Sequence, residues 1–369
     1  MSVLETAPAG FRKVVLKYAP YSASRLIIAR CPDRYRSKYI LKDKIVSDSY
    51  NAARGSAIHY VLERISLAHV AKTQLTPASV DKWIQEALVK HPTAYGQIKL
   101  IKDAAVKYAG HVSPYLNETT LCEAQFAVEL YEEESFLDDE VLKKAYVKVP
   151  YEVEGYPNKQ AFFGAKIDQL SFDHQLKIIT ILDHKSTPTT HKNPDHDFQM
   201  GCYAWLVSLF YPGYQIRTVI HYAHPDLDFY SSPQYWEPGD IADQEDEIHL
   251  KIHALEAFVD FPALPGGHCD YCHQVQLCKE TTKLWEQNAR GEVNLNVRSF
   301  DDLKRIAAQL RVTGVLYDQL NKTLKEGIEN ILPEGNGVSI EGMTYMFKTS
   351  DESVDWVATD KRVREECER

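Results

Sequence analysis

The sequence has few cysteines and no long hydrophobic segment. Its 369 residues include seven cysteines, which is too few for a secreted scaffold held by disulfides and is also an odd number. No apolar run approaches the roughly 18 residues that a membrane-spanning helix needs, and the first residues lack the apolar core of a secretory signal. We therefore expect a cytoplasmic protein with no membrane partner, whose cysteines bind metal, act in catalysis or are simply buried.

Several motifs for nucleotide binding and hydrolysis are missing as well. The sequence contains no G-x-x-x-x-G-K-[ST], no G-x-G-x-x-G, no H-E-x-x-H and no G-x-S-x-G. It therefore encodes no Walker-type motor of its own.

The charge is negative overall but unevenly distributed. A net charge of -10 argues at first against a nucleic-acid partner. Residues 11–46, however, hold ten lysines or arginines against two acids, whereas 118–140 and 226–247 hold nine and eight acids and no base. Such a chain can present a basic surface to nucleic acid, although three solvated faces with no partner are the simpler interpretation.

The pattern along the chain predicts a mixed α/β protein. Apolar residues recur with a period near 3.6 in a helical region at about 55–117, and strands follow. We expect strands at 122–130, 161–172, 176–185 and 215–224, with a helix at 195–210. A boundary near 285–298 separates a domain at 1–285 from a C-terminal extension at 286–369, where a long helix precedes a strand pair at 338–348.

One strand carries the sequence D-x-K, formed by Asp183, His184 and Lys185. Alternation puts Asp183 and Lys185 on one face, and a hairpin centred between 175 and 176 would oppose Asp183 to Asp168. Two close carboxylates need a cation between them, and Mg²⁺ or Mn²⁺ there would promote hydrolysis of a phosphodiester. Because D-x-K occurs often by chance, a surface ion pair at a strand end is the alternative.

Two helical pairs add possible partners for this site. His59 stands one turn before Glu63, and a neutral imidazole can complete a metal site. Gln199 stands one turn before Tyr203, and an amide and a phenol could bond to a catalytic carboxylate or to DNA. Each pair could equally be ordinary packing on a helix face.

The cysteines near the end of the predicted domain have the spacing of metal ligands. Cys269, Cys272 and Cys278 form C-x2-C-x5-C, which needs a fourth ligand. The candidates for a fourth thiolate are Cys31, Cys122, Cys202 and Cys367. A zinc site that includes His268 or His273 is the alternative to an iron–sulfur cluster.

The order of the motifs resembles a known family. G-x-x-x-H, G-x-x-x-D, D-x-K and Q-x-x-x-Y, with "DHKST" and "QMGCYA", are similar to the RecB-type branch of the PD-(D/E)XK nucleases. The resemblance implies that His59, Asp168, Asp183 and the carbonyl of His184 bind the metal. It also implies a catalytic role for Lys185, supported by the pair Gln199 and Tyr203.

A second resemblance concerns the cysteines. "YSASRLIIARCPDRY" is similar to the N-terminal segment of the iron–sulfur members of this branch, which include AddAB-type helicase–nuclease subunits and CRISPR-associated RecB-like exonucleases. In those proteins one distant N-terminal cysteine joins the C-terminal three. The resemblance therefore implies a structural [4Fe-4S] cluster on Cys31, Cys269, Cys272 and Cys278.

These observations combine into one expectation. We expect a restriction-endonuclease-like mixed sheet flanked by helices, with an iron–sulfur clasp and a helical C-terminal extension. The resemblance implies a DNA exonuclease that acts on single-stranded ends in repair, recombination or end processing, with a helicase or recombination protein as a possible partner. The alternative is a non-catalytic, metal- or cluster-containing DNA-binding subunit of a larger nucleic-acid machine.

Overall fold

A computed structural model shows the arrangement of most of the chain. It describes residues 2–42, 50–133, 143–151, 161–186, 194–224, 229–266, 278–290, 337–340, 343–349 and 354–360, and the positions 268, 269, 272, 274, 275, 306, 310, 313, 314 and 317. The chain divides into two compact units, Met1–Pro262 and Ala263–Arg369. The domain boundary expected near 285–298 lies later in the chain and stays a prediction.

The first unit contains a mixed eight-stranded sheet. Its strands follow the order β1-β2-β4-β5-β6-β7, with β3 also paired to β2 and β8 also paired to β6. The strands are β1 (Phe11–Lys13), β2 (Leu121–Glu133), β3 (Lys144–Lys148), β4 (Phe163–Asp173), β5 (Ile178–Lys185), β6 (Gln215–Tyr222), β7 (Phe229–Tyr230) and β8 (Gln234–Trp236). The sheet agrees with the mixed α/β class that the sequence predicts.

Helices cover this sheet and form a separate layer beside it. Among the described residues of the first unit, a π-helix (Arg36–Leu41) and a 3-10 helix (Pro92–Gln97) accompany seven α-helices. The α-helices are α1 (Ala23–Ile28), α2 (Pro32–Tyr35), α3 (Tyr50–Val70), α4 (Pro77–Lys90), α5 (Ile98–Gly110), α6 (Pro194–Phe210) and α7 (Pro238–Glu256). No helix among the described residues has the length and apolar character needed to cross a bilayer.

Local sequence explains where several helices begin. The Ser22 side chain accepts a hydrogen bond from the Arg25 amide at the start of α1, as its N-cap position predicts. Thr76 and Ser79 form a reciprocal capping box before α4, with Pro77 at the first helical position. These caps satisfy amide groups that have no partner inside the helix.

Strands β4 and β5 form the hairpin that the sequence predicts. Their antiparallel register pairs Gln169 with Leu182 and Asp173 with Ile178. Strand β5 then runs parallel to β6, so α6 serves as the crossover between them. The paired residues end at Gln169 and Leu182, which directly adjoin Asp168 and Asp183 in the two strands.

Two hydrophobic cores lie on different parts of this frame. The larger one joins the sheet to α1, α6 and α7, and α6 is so central that Trp205 is fully buried. Gly201 allows the close approach of α7, because a Cβ there would meet Gln244 Oε1 at 2.1 Å and the Trp236 ring at 3.0 Å. The smaller core joins α3, α4 and α5, with Ile58 and Tyr108 among its buried residues.

The second unit contains helix α8 (Lys279–Ala289) and an antiparallel three-stranded sheet of β9 (Gly337–Ile340), β10 (Met343–Thr349) and β11 (Val354–Asp360). Strands β9 and β10 form the predicted pair, and β11 is a third strand that the sequence did not reveal. Most of the predicted long helix lies outside the described residues, although positions 306, 310, 313, 314 and 317 are helical.

Candidate active site

The carboxylate of Asp168 is held by groups from two other elements. The backbone N–H of His184 on β5 donates a hydrogen bond of 2.7 Å to Asp168 Oδ2. His59 on α3 lies with Nδ1 3.3 Å from Asp168 Oδ1. Burial alone would raise the pKa of Asp168, but His59 and His184 more than offset it and hold that pKa well below its usual range. Asp168 is therefore ionised at any ordinary pH.

The two members of the His59–Asp168 pair affect each other. Burial would lower the pKa of His59, yet the neighbouring charge of Asp168 raises it above its ordinary value. Helix α3 thus brings a histidine, about a hundred residues away in sequence, onto the end of β4.

Asp183 is buried more deeply, with 3% of its surface exposed. Lys185 Nζ lies 2.6 Å from Asp183 Oδ2, but that oxygen has no hydrogen-bond partner, so the contact is an ion pair without hydrogen-bond geometry. Burial raises the pKa of Asp183; Lys185 opposes this rise, and the charge of Asp168 adds to it. The positive charge of Lys185 therefore does not fully offset the cost of burying the Asp183 carboxylate next to Asp168.

Gln199 on α6 connects the members of the D-x-K motif. Its Oε1 accepts a hydrogen bond of 2.7 Å from Lys185 Nζ, and its Nε2 donates to Asp183 Oδ1 at 3.3 Å. The same Nε2 donates to the hydroxyl of Tyr203 at 2.6 Å. The amide therefore fixes the ammonium and the carboxylate relative to each other.

A buried network beneath the site was not visible in the sequence. The amide of Gln169 donates to the hydroxyls of Ser66 and Tyr108, each at 2.8 Å, and its nitrogen lies 3.0 Å from His184 Nε2. On its other side, His184 Nδ1 lies 2.7 Å from His221 Nδ1. Burial, followed by the nearby His221, keeps the pKa of His184 well below its ordinary value, so the ring is neutral.

The sequence patterns also did not identify two further side chains near the site, those of Arg54 and His196. Arg54 on α3 donates to the Ser186 carbonyl at 3.3 Å and to Gln97 Oε1 at 3.1 Å, which ties the helix to the residue after Lys185. His196 on α6 has a buried Nδ1 without a hydrogen-bond partner. Burial and the charge of Lys185 lower its pKa to about 4. Neither residue belongs to a repeating pattern that a sequence could display.

The site offers carboxylate oxygens, which are the ligands that a hard divalent cation prefers. In the described residues these oxygens do not form a complete cage around one ion. Asp183 Oδ2 is a buried carboxylate oxygen without a hydrogen bond, beside a second, ionised carboxylate. Among the described residues, no three histidine, cysteine or carboxylate side chains form a group arranged to hold a metal. Mg²⁺ commonly uses one or two carboxylates together with substrate phosphates and water, so Asp168 and Asp183 are suitable without a full protein cage.

The described structure does not support the predicted cluster on the four cysteines. The described part of the chain includes Cys31, Cys269, Cys272 and Cys278 but contains no cysteine group that could hold a cluster. Cys31 belongs to the first unit and the other three to the second. The [4Fe-4S] cluster and its zinc alternative therefore stay predictions from the sequence.

The comparisons with known proteins agree with the geometry of the carboxylates and the lysine. No curated protein matches the chain significantly. The crystal structure of SSO0001 aligns with a TM-score of 0.31 and 13% identity, covering 72% of this chain and 88% of that chain, which is too weak a likeness to carry an argument. The sequence model of the PD-(D/E)XK nuclease superfamily matches residues 20–279, a span that includes every residue of the site described above. The chain therefore belongs to the PD-(D/E)XK nuclease superfamily.

Proposed function

We propose that this protein is a divalent-metal-dependent exonuclease that degrades single-stranded DNA from its ends. The observation that carries the proposal is the contact of 2.6 Å between Lys185 Nζ and Asp183 Oδ2, on a strand whose residue His184 donates its backbone N–H to Asp168. The exonuclease mode, the preference for single strands and a role in repair or recombination rest on the similarity of the motif order to the RecB-type branch. A helicase or recombination partner rests on the same similarity.

The roles of the chain's own residues follow from their contacts. Asp168, Asp183 and the His184 carbonyl would hold Mg²⁺ or Mn²⁺, with His59 as a further donor. Such an ion polarises the scissile phosphate and assists deprotonation of the attacking water. Burial of the carboxylates strengthens their attraction to a cation, because the surrounding dielectric is low.

Lys185 would act at the phosphate. Its ammonium is held by Asp183 and Gln199, so its position is fixed before substrate binds. An ammonium there can orient the attacking water and stabilise the negative charge that develops on the phosphate oxygens. Gln199 is a positioning residue, since it acts through Lys185 and Asp183.

The test compares end-labelled linear and circular single-stranded DNA, with Mn²⁺, with Mg²⁺ and with a chelator. We expect the wild-type protein to degrade the linear strand only when metal is present and to leave the circle intact. Lys185→Ala should lose cleavage by about a hundredfold or more, as expected when one charge-stabilising group is removed. Lys148→Ala, which removes an exposed lysine from β3, is the matched control and should cleave like the wild type. Equal degradation by wild type and Lys185→Ala would contradict the proposal, and cleavage of the circle would contradict the exonuclease mode.

A further inference from the structure

A solvent-open pocket of about 450 Å³ lies beside the candidate active site. Its lining includes Asp168 and His59 of that site, further residues of α3 and the last residue of α4. Its lining residues are Gly55, Ser56, His59, Tyr60, Glu63, Lys90, His91, Glu123, Lys166 and Asp168. Its volume lies in the range of about 300–1,000 Å³ that encloses small ligands, so it can take one nucleotide rather than a stack of base pairs.

Two of the residues that line this pocket, Lys90 and Tyr60, form a cation–π pair. Lys90 is the last residue of α4, and its Nζ lies 4.1 Å from the centre of the Tyr60 ring. The Tyr60 hydroxyl donates to Glu86 at 2.9 Å, and the Arg64 guanidinium lies 5.1 Å from the same ring. These contacts with Lys90, Glu86 and Arg64 hold the Tyr60 ring in place.

Lys90 is exposed and weakly held. No ion pair to Lys90 is found in the part of the chain that the structure describes, and a cation–π contact at an exposed site is worth only about 0.5–1 kcal/mol. Its ammonium can therefore leave the ring for a phosphate oxygen at little cost. The ring face that it leaves is then available to a base, and stacking on an aromatic side chain contributes about 1–3 kcal/mol per base.

The other charged residues that line the pocket are of both signs. Lys166 is paired with Glu123, and Glu63 on α3 is a further acid. A divalent cation at Asp168, together with Lys90 and Lys166, outweighs the three lining carboxylates, so the loaded pocket is net positive. A strand whose scissile phosphate lies at the carboxylates would meet a second positive charge at Lys90.

We propose that this pocket binds the nucleotide next to the scissile phosphate, with Lys90 contacting the flanking backbone phosphate and Tyr60 stacking on the base. This inference rests on the proposed function, because it assumes that a nucleic-acid strand occupies the site. It assigns the helical layer of α3 and α4 to single-strand binding. Lys90 and Tyr60 are positioning residues that contact substrate away from the bond that breaks.

The experiment measures binding of a fluorescent single-stranded oligothymidylate by anisotropy at several salt concentrations, in the full chain carrying Lys185→Ala so that no strand is cut. Adding Lys90→Ala should weaken binding several-fold and reduce the slope of log affinity against log salt by about 0.7, the value for one phosphate contact on a single strand. Lys90→Glu should weaken it further. Lys99→Ala, an exposed lysine on α5 outside the pocket, is the control and should change neither quantity.

Tyr60 is tested in the same assay with two variants. Tyr60→Phe keeps the ring and loses only the bond to Glu86, so it should bind like its parent, whereas Tyr60→Leu removes the stacking surface and should bind several-fold more weakly. Circular dichroism of each variant checks that it is folded. A folded Tyr60→Leu variant with its parent's affinity would overturn the assignment of the ring.

The outcomes separate this inference from the proposed function. If the protein cleaves DNA but Lys90→Ala binds with the affinity and salt slope of Lys99→Ala, the pocket assignment is overturned and the nuclease proposal stands. If binding depends on Lys90 but the wild-type protein cuts nothing with Mn²⁺ or Mg²⁺, the nuclease proposal fails, and Lys90 keeps only its assignment as a contact for single-stranded DNA in this pocket. An absence of single-strand binding would overturn both.

Discussion

Lys185 Nζ and Gln199 Oε1 lie 2.7 Å apart, which joins the end of β5 to the second turn of α6. An ammonium on a flexible stem loses much side-chain freedom when it is fixed, and a single acceptor on a rigid helix holds it in place. Because the same amide also donates to Asp183, one side chain positions both charged members of D-x-K.

Replacing this amide should therefore reduce cleavage without removing any charged group. For Gln199→Leu we expect a loss of about 10- to 100-fold in kcat, the range typical of groups that orient the ligands of a metal site. The rate is measured with saturating Mn²⁺ and labelled single-stranded DNA. Gln215→Leu, which changes an exposed glutamine at the start of β6, is the control. A Gln199→Leu rate equal to the control's would show that Lys185 needs no such support.

Removing one of the two carboxylates should change how the protein responds to metal. Wild-type protein at a Mn²⁺ concentration of about 100 times Kd gains about 2.7 kcal/mol, which corresponds to a rise in Tm of about 5–10 °C for a unit of this size. Asp183→Asn should lose most of this rise.

In chelator, the same variant should be at least as stable as the wild type, because Asp183 is buried and repelled by Asp168. Asp243→Asn, an exposed acid on α7, should keep the wild-type response. A full Mn²⁺-induced rise in Asp183→Asn would place the ion elsewhere.

Gly201 should be intolerant of a side chain. A Cβ there would lie 2.1 Å from Gln244 Oε1 and 3.0 Å from Trp236, both of which are buried and have little room to move. We expect Gly201→Ala to lower the free energy of unfolding by about 1–2 kcal/mol in urea titrations. Gly239→Ala, on α7 with open space around it, should be neutral or slightly stabilising. Equal free energies of unfolding for Gly201→Ala and Gly239→Ala would mean that α6 and α7 can move apart at little energetic cost.

The buried His249 should make stability depend on acid pH. Its Nε2 lies 2.7 Å from the Tyr146 hydroxyl, which itself donates to Glu245, and burial, followed by positive charge at Lys144, lowers its pKa to about 3. The unfolded chain has a histidine pKa of about 6.5 and so binds the proton first. Its contribution to stability is complete above about pH 6.5 and is lost progressively as the pH falls toward 3.

The test of this prediction is the slope of unfolding free energy against pH between 6 and 4. His249→Gln should reduce that slope by up to about 1.4 kcal/mol per pH unit, the value for one proton. His69→Gln, which changes an exposed histidine on α3, is the control. An unchanged slope in His249→Gln would mean that this ring is not kept neutral by the fold.

The sequence predicted the parts of the site that depend on local periodicity. Alternation along one strand and a short hairpin fix which residues share a face, so the β4–β5 hairpin and the closeness of Lys185 to Asp183 could be predicted from spacing. The helical period likewise placed Gln199 one turn before Tyr203, and these side chains are hydrogen-bonded.

Tertiary structure alone decided which distant groups meet this motif. The contact of Arg54 with the Ser186 carbonyl, the Gln169 network with Ser66, and the pocket beneath Lys90 all depend on how the layer of α3, α4 and α5 packs against the sheet. Side-chain direction within one element repeats with a known period and is visible in a sequence. The packing of two elements instead depends on the shapes of both surfaces, which no single stretch of sequence specifies.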